Sequence, residues 1–103
     1  MNDKNKMIEL QATALTYFSK GDEEIFFEWL HKIPCVKKIE GHLSTLSIYV
    51  DFAAVDRQSL HELLALFSRY GVPLKQLAVL DKAEYTSWFR NKERWWYNAV
   101  FEV

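Results

Sequence analysis

The chain has 103 residues, half of them apolar and 16% aromatic, with a formal net charge of −1. That is enough apolar surface for one core and too little chain for two domains. The balance excludes both the basic footprint of a general nucleic-acid binder and the polar composition of a disordered chain.

A lone cysteine, Cys35, leaves no internal disulfide to depend on. The opening "MNDKNKMIEL" holds no apolar run of the kind a secretory leader needs, and residues 1–6 are expected to fray. No apolar stretch is long enough to cross a bilayer, so the expected location is the cytoplasm.

Residues 7 to 19 place Met7, Leu10, Ala14, Leu15 and Phe18 at spacings of three and four, which predicts an amphipathic helix broken at Gly21. Asp22 then suits an N-cap, with Glu23 and Glu24 in a first turn where the helix dipole favours anions. Ile25, Phe26, Trp29, Leu30 and Ile33 form the apolar face of this second helix, and Pro34 stops it. The period then changes to two. Leu46, Ile48 and Val50 alternate with Ser47, Tyr49 and Asp51, and the break at "GHLST" predicts a hairpin of strands at 36–42 and 45–52.

Asp56 or Ser59 can cap the next helix, and "SLHE" has the form of a capping box. Its stripe is Leu60, Leu63, Leu64, Phe67 and Tyr70, with Gly71 and Pro73 as the stop. The continuous apolar run in "LKQLAVLD" predicts a buried strand. A loop or short helix is expected around Trp88 and Phe89, then a final element from Trp95 to Val103. The predicted order is α-α-β-β-α-β plus an aromatic C-terminal element. This describes one α+β (α/β-type) domain over residues 1–103, a small mixed or antiparallel sheet of three or four strands with helices packed on it.

His31, Cys35 and His42 are spaced like metal ligands, but Pro34 interrupts the helix between them and no fourth ligand follows. Ser59, His61 and Glu62 are neighbours in sequence, and helix geometry points consecutive residues apart. No nucleophile elbow, phosphate loop or H-E-x-x-H occurs. The expectation is a non-enzyme with no catalytic residue, no metal and no cofactor.

Two features remain. Asp22, Glu23, Glu24 and Glu28 serve as cap, dipole partner and solvated face, or as an acidic patch for a basic partner. Trp88, Phe89, Trp95, Trp96, Tyr97 and Phe101 crowd into "SWFRNKERWWYNAVF" with Arg90, Lys92 and Arg94 among them. Adjacent tryptophans cannot share one face of a helix or strand, so one of Trp95 and Trp96 points away from the core. Trp and Tyr are also enriched at interface hot spots, which makes that ring a candidate anchor.

The phrases "GDEEIFFEWLHKIPCVKKIEGHLSTLSIYV", "LHELLALFSRYGVPLKQLAVL" and "SWF…RWWYNAVF", between Gly21 and Phe101, resemble the immunity proteins of contact-dependent growth inhibition. The resemblance implies a chain that binds and neutralises the C-terminal domain of one cognate toxin, often a nuclease, in the cytoplasm. It transfers no contact residues. The candidate partner-binding residues remain Asp22, Glu23, Glu24, Glu28, Trp95 and Trp96, with no direct nucleic-acid or membrane partner expected. A different class stays open: a small regulatory or adaptor domain that binds a small molecule or forms a homodimer. Single-stranded nucleic-acid binding by "RNKERWW" is a third reading.

Overall fold

The computed structural model describes residues 6 to 102. Residues 1 to 5, most of the segment expected to fray, lie outside them. The fold is α+β, a three-stranded antiparallel sheet with helices over one face.

The first element corrects the sequence reading. Met7–Thr13 is a strand, β1, and not a helix. Its alternation is already present as Ile8, Leu10 and Ala12 against Glu9, Gln11 and Thr13. The first set faces Val50, Ile48 and Leu46 across the ladder, and Leu10 and Ala12 are buried. Helix α1 then spans Lys20–Lys32. Its N-cap is Ser19, whose hydroxyl accepts the Asp22 amide at 3.1 Å. Gly21 therefore lies inside the first turn rather than ahead of it, and Asp22 is not the cap.

The hairpin forms as predicted, with β2 at Val36–His42 and β3 at Thr45–Asp51. Because β3 pairs with both neighbours, the sheet order is β1-β3-β2. One face, with Leu10, Ala12, Ile48 and Val50, belongs to the core, and the other carries Glu9, Gln11, Ser47, Tyr49, Lys38 and Glu40. Both outer strands are edges. The side-chain amide of Gln76 accepts the Gln11 N–H and donates to the Gln11 carbonyl, each at 2.8 Å, so it pairs with β1 as a strand residue would. The register shift between Val36 and Lys38 puts a bulge and two lysines on the β2 edge, which discourages further pairing.

Helix α2 spans Arg57–Tyr70 and is capped by Asp56, which accepts the Ser59 amide at 2.8 Å. Ser59 is buried in the first turn, and Glu62 bonds elsewhere, so the "SLHE" capping box does not form. Gly71 ends α2 at φ 72°, a left-handed conformation that glycine adopts without a Cβ penalty.

The buried strand expected after it is absent. Leu74–Leu80 is 3₁₀-helical. Leu74, Leu77 and Leu80 recur every three residues, the period of a 3₁₀ turn, and Leu77 and Leu80 enter the core. Two short helices close the chain, α3 at Thr86–Phe89 and α4 at Tyr97–Phe101. Among the described residues, no helix is long and apolar enough to cross a membrane.

Candidate interaction face

Helices α1 and α2 run antiparallel, and two polar contacts fix their register. The Tyr70 hydroxyl donates to Asp22 Oδ1 at 2.9 Å at one end of the seam. Trp29 Nε1 donates to Glu62 Oε1 at 2.8 Å near the other. Residue 24 therefore stands level with residues 67–68, and residue 28 with 63–64. Beneath the seam lie Phe26, Leu30, Leu63, Leu66 and Phe67, all buried.

This geometry divides the four predicted acids. Residues advance about 100° each around a helix, so four acids over seven positions do not share a face. Asp22 turns into the seam, where it holds Tyr70 and accepts the Phe18 amide through Oδ2 at 2.9 Å. It is partly buried and committed to the fold. Glu23, Glu24 and Glu28 stay exposed and line a depression on the outside of α1 with Lys20, Ile25 and Phe27. Glu24 and Glu28, one turn apart, share the outermost stripe.

The two adjacent tryptophans separate as the sequence requires. Trp96 is 1% exposed and donates its indole N–H to the Phe89 carbonyl at 2.8 Å. Its ring lies 4.8 Å from that of Trp88, centre to centre. Trp96 is thereby removed from the partner-binding candidates and assigned to the core. Trp95 is 56% exposed. It shares a depression with Ala65, Ser68, Arg69 and Trp29, where the small side chains of Ala65 and Ser68 leave room for the ring over the outer face of α2.

Sequence reasoning missed a third group. Arg57 lies over the Trp88 ring at 4.7 Å and Arg94 over Trp96 at 5.9 Å. His61 sits edge-on to both rings, at 5.5 and 5.7 Å. Among the described residues the ion pairs are Lys38–Glu40 and Arg90–Asp81, so Arg57, Arg69 and Arg94 have no carboxylate partner there. The spacing of Arg57, His61, Ala65 and Arg69 at four-residue intervals is the signal that marks this stripe as one helix face.

The outcome is one continuous surface. Arg69 joins the depression around Phe18 and Tyr70 to the one around Trp95, and Trp29 joins that to a third near Lys32, Pro34 and Gln58. Its α1 side carries Lys32 with Glu24 and Glu28 on the helix's outer stripe, and its α2 side carries Arg69 and Glu62, with Trp29 and Trp95 sharing the central depression. No protein-family model, curated protein or solved structure matches the chain.

Other candidate chemistry is dispersed. Cys35 is fully buried, and burial pushes its thiol up to about 11, opposed by the Ser59 hydroxyl, so almost no thiolate exists near neutral pH. His31 and His42 are exposed. No group of three or more His, Cys, Asp or Glu able to hold a metal occurs among the described residues. Ser59 is buried beneath the start of α2 while His61 is exposed on its outer side, so the two do not converge.

Proposed function

We propose that the chain is an immunity protein: it binds the C-terminal domain of a cognate toxin through the α1–α2 face and blocks that domain's active site or substrate surface. The observation that carries this reading is Trp95, a large ring left 56% exposed while its neighbour Trp96 is buried. An exposed tryptophan with arginine beside it has the composition of an interface hot spot. The acids Glu23, Glu24 and Glu28 on the outside of α1 would steer a basic partner such as a nuclease and fix its register. The likeness of residues 21 to 101 to growth-inhibition immunity proteins supplies the partner class.

Co-expression with the toxin domain encoded by the adjacent gene tests the reading. It predicts rescued growth and a stable one-to-one complex. Unrescued growth without a complex contradicts it.

The observed depressions are open surface features rather than an enclosed apolar cavity, so the small-molecule alternative draws no comparable support from the geometry. A nucleic-acid platform draws less support, because Trp88 and Trp96 are buried edge-to-face and offer no ring face to a base, which leaves Trp95 alone in this segment's tryptophans to stack.

A further inference from the structure

The α1–α2 face is self-complementary. Its α1 flank carries Glu24 and Glu28, with Lys32 at the C-terminal end, and its α2 flank carries Arg69 and Arg94 beside His61, all exposed. No ion pair among the described residues uses either set. Between them lie three apolar side chains, Ile25 at 57% exposure, Trp95 at 56% and the partly buried Trp29. A single chain cannot bring its own flanks together, because α1 and α2 lie side by side and both outer faces look away from the sheet. A second copy can.

We propose that two copies of this chain pair through this face, about a two-fold axis running along the α1–α2 seam. Rotation about that axis lays α1 of each copy against α2 of the other, acid flank on basic flank, twice over by symmetry. The register fixed by Asp22–Tyr70 and Trp29–Glu62 then sets the contacts. Glu24 of one copy stands at the level of Arg69 of the other, and Glu28 falls between Ala65 and His61. Ile25, Trp29 and Trp95 of both copies meet along the axis and supply the apolar centre. A typical interface of about 800 Å² per partner is roughly one eighth of the 6613 Å² surface, which one broad face of a 38 × 34 × 23 Å molecule can provide.

The pairing uses the face assigned above to a foreign partner, so it rests on that face being a binding surface and makes the dimer a competitor of the complex. Its test needs no partner. Sedimentation of the full chain at about 100 µM is expected to give the dimer mass in low salt, with dissociation as ionic strength rises. The acid-reversed variant Glu24→Lys/Glu28→Lys and the base-reversed variant Arg69→Glu/Arg94→Glu are each expected to be folded monomers. Their one-to-one mixture is expected to recover the dimer mass as a heterodimer. Trp95→Ala, which changes no charge, is expected to weaken the wild-type dimer at least tenfold. A wild-type chain that stays monomeric overturns the proposal and leaves the face to a foreign protein. A dimer that survives Trp95→Ala and both reversals overturns it too, because the copies then meet elsewhere. Growth rescue without a dimer removes only this inference, and a dimer without rescue removes only the immunity reading.

Discussion

Trp95 and Trp96 are bonded neighbours with opposite roles. Trp96 fills the space between α2 and α3, and its indole N–H has a carbonyl partner, so truncation leaves both a cavity and an orphaned acceptor. Trp96→Ala is expected to cost about 3–5 kcal/mol in urea unfolding, a large part of the stability of a domain this size. Trp95→Ala is expected to cost less than about 1 kcal/mol, since more than half of the ring is already in water. Equal costs would mean that the assignment of inner and outer ring is wrong. That one ring had to point outward was legible from adjacency alone. Which one was not, because the choice depends on the Phe89 carbonyl seven residues away and on the small Ala65 and Ser68 of a distant helix. Asp22 shows the same limit. Its acidic neighbourhood reads as a surface patch, and only the fold brings Tyr70 against it, 48 residues along the chain.

At the level of elements, what was local was readable. The hairpin, the α2 stripe and the Gly71 stop follow from period, caps and turn residues that lie within each segment. The two misreadings each followed a real but ambiguous pattern. Met7, Leu10, Ala14 and Phe18 satisfy a helical spacing, yet pairing with β3 some forty residues later decides that Ile8, Leu10 and Ala12 form the inward set. Leu74, Leu77 and Leu80 lie in a continuous apolar run, which hid their three-residue period. The capping of α2 by Asp56 has a consequence for pH. The Ser59 backbone amide bonded to it, helped by other local donors, holds the Asp56 carboxyl below its ordinary value. A carboxylate whose folded pKa is depressed adds stability above its unfolded pKa of about 3.9 and loses it as pH falls through the lower folded value. Asp56→Ala is expected to cost about 1 kcal/mol at neutral pH, and that cost should shrink below about pH 4. Asp56→Asn keeps a cap without the charge, so it should cost less than Asp56→Ala at neutral pH and change with pH in parallel. Denaturant melts at neutral and acid pH measure both, and a cost for Asp56→Ala that does not vary with pH would show that the charge is not involved.

For the molecule as a whole, charge is distributed so that a near-neutral chain still presents a net acidic α1 and a net basic α2. Net charge concealed this, because summing the whole chain cancels two fields that the fold keeps on separate helices. The sheet's outer face is satisfied by its own contacts, Glu9 with Ser47 and Gln11, and Glu40 with Lys38. Among the described residues, the helical face brings exposed aromatic rings together with arginines that have no carboxylate partner, and the proposed binding role rests on it. Calorimetry of the proposed partner, the toxin domain encoded by the adjacent gene, against wild-type and Trp95→Ala chains, each first shown to be folded, tests that proposal most directly. A loss of at least about 2 kcal/mol, roughly thirtyfold in Kd, is expected for Trp95→Ala. A folded Trp95→Ala chain that binds within threefold of wild type would contradict it.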